Sequence, residues 1–394
     1  MLRDYVELPR QVHLLCLGAL INRAGSFVLV FLTIYLSEQL GFGIGFATGC
    51  LGIFGVCAML AAIVGGQLAD KWGRRPVLLV AIFGGSLTLL TMSQAQDRWS
   101  LMTLIGLFGL LNEMYRPAAS AMIGDLTRPP QRPHAFSLMY VAINLGFAIA
   151  PPLGGWLSEH SWQMLFVCDA ATAAAFGTLI LLSCRETTPE VDVEEPSVSA
   201  GSFVGVVLRD SRFLLFCLAT LLVAVVYLQG MSTLPIHIRS LGFSNADYGK
   251  LIAINGILIV ILQLPLTHAL NRFNRLVVIL VGGVLVAAGF GLTGFASSMW
   301  MFAVSIAVWT LGEIMQAAFN QAVVAELAPA QMRARYFGCF SMTFSLSLSI
   351  GAPLGGFVLE RYGARYLWNG CLFTAMLAVA LYLVILSKAR FAAD

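Results

Sequence analysis

The chain has 394 residues, of which 59% are hydrophobic and only 11% are charged, and its formal net charge is +3. Soluble domains carry about 25% charged residues, so a soluble fold of this length would lack the charge to cover its surface. The small net charge gives no support for nucleic-acid binding. The eight cysteines form no CxxC pair and no Cys/His cluster, so no metal site is predicted. The composition indicates a protein that is largely surrounded by lipid.

Apolar segments follow one another along the chain, separated by short polar breaks. Because about 20 helical residues cross the apolar core of a bilayer, each of these segments is long enough to be a transmembrane helix. The sequence predicts an all-α membrane protein with spans one to twelve at residues 12–36, 44–68, 76–95, 99–122, 135–158, 163–184, 212–234, 246–270, 276–295, 299–322, 335–358 and 365–387.

The longest connection, residues 185–211, is rich in acidic residues and contains Pro189 and Pro196. This composition is typical of a solvated linker. We therefore predict two six-helix bundles, residues 1–184 and 212–394, joined by this linker. Of the 23 lysines and arginines, 16 fall in the termini and the loops of one side and 5 on the other. The positive-inside rule then places both termini in the cytoplasm.

The two halves match each other at a constant offset of 201 residues. The matches include Leu40–Phe42 with Leu241–Phe243, Arg74 with Arg275, Asp125–Leu126 with Glu326–Leu327, and Pro152–Gly155 with Pro353–Gly356. One spacing maintained over so long a stretch indicates an internal duplication. Inverted or parallel repeats of this kind build alternating-access transporters, whose substrate site lies near the middle of the membrane.

The most specific motif is GQLADKWGRR at residues 66–75, between spans two and three. Gly66 is expected to permit close helix packing, and Gly73 a tight turn. Asp70, Arg74 and Asp125 are expected to form a charge cluster that holds this side closed in one conformation. The alternative is a basic turn without a gating role. The predicted gating residues are Gly66, Asp70, Gly73, Arg74, Arg75 and Asp125.

This decapeptide resembles the signature loop of the major facilitator superfamily of transporters. Span five contains GFAIAPPLGG at residues 146–155, which resembles the proline-glycine motif of the drug/proton antiporters in that superfamily, with Ala150 where glycine is usual. The resemblance implies the major facilitator fold, in which two pseudo-symmetric six-helix bundles enclose a cavity lined by spans one, four, seven and ten. Prolines within a helix also predict a kink. The residues of this motif are Gly146, Pro151, Pro152, Gly154 and Gly155.

Two departures from the antiporter pattern occur. The arginine that these antiporters usually carry in the first half of span four is absent, and Gly106 stands near its place. In the loop between spans eight and nine, Asn271 replaces the aspartate of the signature. The proton relay usual in the antiporters is therefore not carried over to this chain.

Five ionisable residues fall inside the predicted spans: Arg23, Glu113, Arg116, Asp169 and Glu313. Such residues are costly in a membrane and are functional candidates for that reason. By the resemblance, all except Asp169 lie on cavity-lining spans. Glu113 and Arg116 are three residues apart and therefore share a helix face, so they can form an ion pair. Arg23 is expected to offer a second cationic group to the cavity.

Glu313 lies in a span without a basic residue, and Gln316 and Asn320 follow it on the same helix face. We predict that Glu313 carries a proton, with Glu113 and then Asp169 as further candidates. The alternatives are a structural ion pair for Glu113, a hydrogen-bonded packing residue at Glu313 and a supporting residue at Asp169. Further candidates for the cavity wall are Tyr115, Tyr140, Asn144, Tyr227 and Gln229.

Taken together, these features predict a proton-coupled exporter of small amphipathic compounds or drugs, a monomer in a bacterial cytoplasmic membrane. Its partners would be the substrate, protons and lipid, and its energy source the proton gradient rather than a cofactor. The alternative is an exporter or proton symporter of one metabolite, such as a peptide, sugar or siderophore. A membrane-embedded enzyme would need a catalytic cluster such as HExxH, which this sequence lacks. The repeat and the signature loop argue against a channel or a receptor.

Overall fold

The computed structural model of the protein describes residues 5–128, 131–187, 209–329 and 333–390. These residues are helical apart from short turns and loops, and no β-strand occurs among them. Within them, eleven segments are long and apolar enough to cross a membrane. The remaining predicted span is a continuous helix of 29 residues, Arg98–Leu126, whose charged residues lower its hydropathy. All twelve predicted spans are therefore helical, which supports the all-α membrane fold.

The helices of the first half are α1 (Arg10–Ala24), α2 (Val28–Ile34), α3 (Ile44–Trp72), α4 (Arg74–Met92), α5 (Arg98–Leu126), α6 (Arg132–His160) and α7 (Trp162–Ser183). The helices of the second half are α8 (Ser211–Tyr227), α9 (Gln229–Ser232), α10 (Leu234–Ser240), α11 (Asn245–Leu270), α12 (Arg275–Thr293), α13 (Met299–Leu327), α14 (Arg333–Tyr362) and α15 (Ala364–Arg390).

Two predicted spans are interrupted. Span one breaks between Ala24 and Val28 and ends in a π-helical turn, Tyr35–Gln39. Span seven consists of the three helices α8, α9 and α10. Such breaks free backbone groups that a membrane helix would otherwise satisfy internally, so they require partners from neighbouring helices.

The internal repeat is visible in the helix boundaries. Helices α1, α3, α4, α5 and α6 begin at Arg10, Ile44, Arg74, Arg98 and Arg132, and their counterparts begin at Ser211, Asn245, Arg275, Met299 and Arg333. Each pair of helix starts is separated by the same 201 residues that separate the sequence matches. The structure therefore confirms that the two halves are built to one plan.

The caps of α5 and α13 follow the same repeat. Asp97 accepts a hydrogen bond from the backbone N–H of Ser100 at 2.9 Å, and Ser298 accepts one from Met301 at 3.4 Å. Side-chain oxygens at this position satisfy a backbone donor of the first helical turn. The hydroxyl and then the backbone N–H of Ser100 lower the pKa of Asp97 by donating to its carboxylate.

Contacts group the chain into two compact units. Unit 1 comprises Met1–Val191 and Pro235–Ile257, and unit 2 comprises Asp192–Leu234 and Leu258–Asp394. The first part of span eight thus packs with the first half of the chain. The sequence instead predicts that residues 185–211 separate two units, each of which is continuous in the chain. Most of that segment lies outside the described residues.

Close helix crossings hold each unit together. In unit 1, α3 packs against α5, and a Cβ atom at Gly109 would lie 2.8 Å from the carbonyl oxygen of Phe54. In unit 2, α12 packs against α13, and a Cβ atom at Gly289 would lie 2.6 Å from the backbone nitrogen of Trp309. Small residues at these crossings let the backbones approach closely, as is typical of membrane helices.

Candidate functional site

The loop between α3 and α4 turns at Gly73, whose φ of 99° is a left-handed conformation that favours glycine. Gly66 does not make the predicted close helix contact, because a Cβ atom there would meet nothing within 4 Å. The close contact is made one residue earlier. A Cβ atom at Gly65 would lie 2.9 Å from the carbonyl oxygen of Met114, so Gly65 faces α5 and Gly66 does not.

Arg74 is the charged centre of this loop. Its Nε lies 3.3 Å from Oδ2 of Asp125, and its Nη1 donates to the carbonyl oxygen of Ala69 at 2.6 Å. The side chain of Arg74 is only 8% exposed. The structure thus brings together Arg74 and Asp125 of the predicted cluster, while the side chain of Asp70 lies outside the described residues. The gating role of the cluster stays a prediction.

Glu186 is a member of this site that sequence reasoning missed. Its Oε1 accepts from the backbone N–H of Arg74 at 2.7 Å, and its Oε2 accepts from that of Arg75 at 3.2 Å. Thr187 donates its hydroxyl to Oδ2 of Asp125 at 3.0 Å. The only sequence signal is indirect, because the first turn of α4 carries no acidic residue to satisfy its N–H groups.

The second half carries a related pair. Arg275, at the start of α12, forms an ion pair with Glu326 near the end of α13. The side chains are 40% and 58% exposed. Asn274 caps α12 by accepting from the backbone N–H of Leu276 at 3.0 Å. The predicted correspondence of Arg74 with Arg275 and of Asp125 with Glu326 therefore extends to their contacts.

In unit 1, the i, i+3 spacing of Glu113 and Arg116 produces an ion pair with 2.9 Å between Oε2 and Nε. Asn112 donates to Oε1 of Glu113 at 3.3 Å. The side chain of Glu113 is 20% exposed and that of Arg116 is 57% exposed. The pair therefore has an accessible cationic end within a membrane helix.

Asp169 connects α7 to the break in span one. Its Oδ2 accepts from the backbone N–H of Val28 at 2.9 Å, and the residue is 3% exposed. It also lines a cavity of about 20 Å³ with Asn22, Ser26 and Asn112. That volume suits one water molecule or an ion of similar size. The carboxylate thus supplies an acceptor that the broken helix needs, and its proposed proton chemistry stays a prediction.

The other predicted residues of unit 1 occupy different settings. Arg23 is half-buried in the last turn of α1, where the helix dipole favours a positive charge. Tyr140 is 46% exposed, and Asn144 donates to its carbonyl oxygen at 2.8 Å. Tyr115 is 6% exposed and packs edge-on against Phe176, with ring centroids 6.4 Å apart. Tyr115 therefore packs within the helix bundle and also lines the small cavity beside Asp169, while its predicted place on a substrate cavity stays a prediction.

In unit 2, Glu313 is the middle residue of α13 and is half-buried. One turn further, Gln316 donates to the carbonyl oxygen of Ile279 at 3.0 Å, and its Oε1 accepts from the hydroxyl of Tyr227 at 3.5 Å. Asn320 continues the row and is 5% exposed. The structure therefore places three predicted residues, Glu313, Gln316 and Tyr227, in one region of unit 2.

Gln229 is held by hydrogen bonds of its side-chain amide to span seven and to α14. Its Nε2 donates to the carbonyl oxygens of Val225 at 3.0 Å and Gly351 at 2.8 Å, while its Oε1 accepts from Thr233 at 2.9 Å. The residue is 2% exposed. Its amide satisfies the interrupted backbone of span seven and ties it to α14. Its side-chain amide is thus engaged in hydrogen bonds, and its predicted place on the cavity wall stays a prediction.

The proline-glycine motif lies on a contact surface of unit 1. Helix α6 continues through Pro151 and Pro152. A Cβ atom at Gly154 would lie 2.8 Å from the ring of Phe31, and one at Gly155 would lie 2.7 Å from the carbonyl oxygen of Asn245. The first glycine of the motif, Gly146, likewise approaches α1. These glycines allow α6 to pack closely against α1, α2 and the first turns of α11.

Comparisons with known proteins agree with this architecture. The chain is 25% identical over 353 residues to the uncharacterized MFS-type transporter YqjV of Bacillus subtilis, covering 88% of this chain and 86% of the relative. It is 26% identical over 364 residues to a Na(+), Li(+), K(+)/H(+) antiporter of Planococcus maritimus, covering 84% and 85%. It is 25% identical over 341 residues to the multidrug resistance protein MdtH of Escherichia coli, covering 85% and 83%.

Solved structures share the fold. A POT family transporter in complex with 5-aminolevulinic acid matches with a TM-score of 0.82 at 15% identity, covering 98% of this chain and 97% of the other. The nucleoside transporter NupG matches with a TM-score of 0.77 at 18% identity, covering 95% and 99%. The sequence profile of the Major Facilitator Superfamily matches residues 15–244 and 230–392. The chain therefore belongs to the major facilitator superfamily.

Proposed function

We propose that this transporter exports small amphipathic compounds, including drugs, in exchange for protons. It would work by alternating access in a bacterial cytoplasmic membrane, with both termini in the cytoplasm. The observation that carries the proposal is a carboxylate, Glu313, at the middle of a membrane helix, followed by the polar residues Gln316 and Asn320. The similarity to MdtH supports the drug class of substrate.

We assign the coupling of the two fluxes to Glu313. An ionised side chain at the middle of a membrane helix is costly, and this makes Glu313 a candidate to bind and release a proton. Its charged form attracts a cationic or polar substrate group, and its protonated form does not. Proton and substrate therefore compete for this region, and each lowers the affinity for the other by the same factor. Competition of this kind is what exchange requires.

Glu113 and Asp169 are the second and third candidates for the proton carrier. Glu113 forms an ion pair with Arg116 on its own helix face, and Asp169 accepts a hydrogen bond from the backbone N–H of Val28. We rank Glu313 first because its span carries no basic residue, Glu113 second because Arg116 lies on the same helix face, and Asp169 third because span six does not line the cavity in the major facilitator arrangement.

A second candidate function is exchange of a small monovalent cation for protons. The similarity to the Planococcus maritimus antiporter favours it, as does the cavity between Asp169, Asn22, Ser26 and Asn112. Hard cations prefer oxygen ligands, which all four side chains offer. Transport of one dedicated peptide, sugar or siderophore is a further alternative, and it would show as saturable transport of one compound with indifference to drugs.

The test is an exchange assay in inverted membrane vesicles with an imposed proton gradient and a pH-sensitive dye. Cationic drugs, neutral amphipathic compounds, NaCl and KCl are added in separate runs, and the resulting proton movement is recorded. We expect drugs to release protons from wild-type vesicles. Glu313→Gln, which keeps the shape and removes the titratable group, should abolish the signal. Glu326→Gln, at the exposed end of the same helix, is the matched control and should retain it.

The outcomes separate the candidates. A response to NaCl or KCl alone would replace drug export with cation exchange. Full drug exchange in Glu313→Gln would remove that residue from the mechanism. If Glu113→Gln is also fully active, proton carriage by these two acids is refuted.

A further inference from the structure

An open cavity lies in unit 1 where α1 begins, α4 begins and α7 ends. Its volume is about 660 Å³. Three arginines from these three segments line it, namely Arg10, Arg75 and Arg185, together with Gln11 and Glu186. Leu14, Leu181 and Leu182 provide an apolar wall. Arg75 and Glu186 also belong to the loop site described above, but none of the three proposed proton carriers lines this cavity.

The described residues that line the cavity do not balance its positive charge. Three arginines and one glutamate leave a net charge of +2. The carboxylate of Glu186 is already occupied, since it accepts from the backbone N–H groups of Arg74, Arg75 and Thr187. Among the described residues, the side chains of Arg10 and Arg185 have no ion-pair partner. An anion entering the cavity would therefore meet guanidinium groups that are still available.

Two polar atoms of the lining residues also lack partners. Nη2 of Arg75 donates to the carbonyl oxygen of Leu181 at 2.7 Å, but its Nε is buried without an acceptor in the described part of the chain. Oε1 of Gln11 is buried without a donor there. Buried groups without partners are rare and costly, and an ordered water, an ion or a polar group of a ligand can satisfy them. The two residues call for an acceptor such as a phosphate oxygen and for a donor such as a hydroxyl.

The apolar wall indicates a ligand that also has a hydrocarbon part. Leu181 is 46% exposed and Leu182 is 79% exposed, beside the basic groups at the end of a membrane helix. Exposed leucines at this level of a transmembrane bundle contact acyl chains. Basic pockets between membrane helices are suited to anionic lipid headgroups.

We infer that this cavity binds the headgroup of an anionic phospholipid, with its phosphate at Arg10, Arg75 and Arg185 and its acyl chains against Leu181 and Leu182. A headgroup hydroxyl, as in phosphatidylglycerol, would donate to Gln11. The ammonium group of phosphatidylethanolamine would instead be repelled by the net positive charge. The site therefore selects lipid headgroups by charge.

The test uses the purified full-length protein after removal of bound lipid by detergent washing. It is titrated with short-chain phosphatidylglycerol, and bound lipid is counted by native mass spectrometry. Parallel titrations with phosphatidylethanolamine of the same chain length and with inorganic phosphate distinguish a lipid site from a site for a free anion. We expect saturable binding of one phosphatidylglycerol, with weaker binding of both other probes.

The double variant Arg10→Gln/Arg185→Gln should bind phosphatidylglycerol about 30-fold more weakly, because each basic residue near a headgroup contributes about fivefold. Both side chains are exposed, so the fold should be kept, and circular dichroism checks this. The control Arg212→Gln/Arg272→Gln removes the same charge from exposed positions outside the cavity and should bind like wild type. Unchanged affinity in the first variant, an equal loss in the control, or equal binding of either other probe would overturn the inference.

Discussion

The loops that follow spans two and eight each lead to an arginine that forms an ion pair, and these two equivalent pairs lie in different surroundings. In unit 1, Arg74 is buried, pairs with Asp125 and also donates to the carbonyl oxygen of Ala69. In unit 2, the equivalent Arg275 pairs with Glu326 while both side chains are substantially exposed. Position in the repeat is therefore enough to conserve a contact, but burial and additional partners decide how much that contact contributes.

The difference has a physical basis. An exposed ion pair contributes little, because water solvates and screens both charges. A buried arginine that loses its carboxylate keeps the cost of burial without the compensating charge. We therefore expect the first loop to be sensitive to substitution and the second to tolerate it. Three substitutions test this contrast.

The largest effect is expected for Asp125→Asn. It removes the negative charge beside Arg74 and should lower the free energy of unfolding by about 2 kcal/mol. Thermal unfolding in detergent can be followed with a maleimide dye that reacts with the buried cysteines, such as Cys16 and Cys50, as they become exposed. A double-mutant cycle with Arg74→Gln isolates the pair. A coupling energy near zero would contradict the assigned contact.

An intermediate effect is expected for Glu186→Gln. This carboxylate satisfies N–H groups at the start of α4, and the substitution keeps an acceptor while removing the charge that favours the helix N-terminus. The expected loss is about 0.5–1 kcal/mol, measured in the same unfolding assay. A loss larger than that of Asp125→Asn would show that the chain after α7, rather than the buried arginine, dominates this site.

The smallest effect is expected for Glu326→Gln. Because both partners are exposed, the free energy of unfolding should change by no more than about 0.5 kcal/mol, and less at high salt. The same unfolding curves at low and high ionic strength provide the measurement. A loss comparable with that of Asp125→Asn would remove the proposed distinction between the two loops.

Much of the architecture could be predicted because hydropathy and repeat spacing are local or periodic signals. The predicted spans coincide with helices, and the pair Glu113–Arg116 follows from residues three apart on one helix. The interruption of span one was not predicted, since Gly25, Ser26 and Phe27 do not break the apolar pattern. Its partner, Asp169, lies 141 residues away, a distance at which sequence carries no periodic signal.

The candidate site was less predictable because helix rotation decides which way a side chain faces. Tyr115 and Gln229 lie on the expected spans but are buried among neighbouring helices. Gly65 rather than Gly66 contacts α5. A shift of one residue rotates the contact position by about 100° around the helix axis. Glu186 was grouped with the linker because its acceptor role depends on the start of a helix 112 residues earlier.

The constant separation of the helix starts also bears on the history of the chain. Loops usually gain and lose residues freely, yet the paired helices from α1 to α6 and from α8 to α14 kept their register. The halves have therefore diverged over this stretch almost wholly by replacement of side chains. At each paired position, one half therefore shows a side chain that the equivalent backbone position has accepted during evolution. Exchanging the residues at single equivalent positions of the two halves is therefore a direct way to make variants in which the difference between the halves is changed.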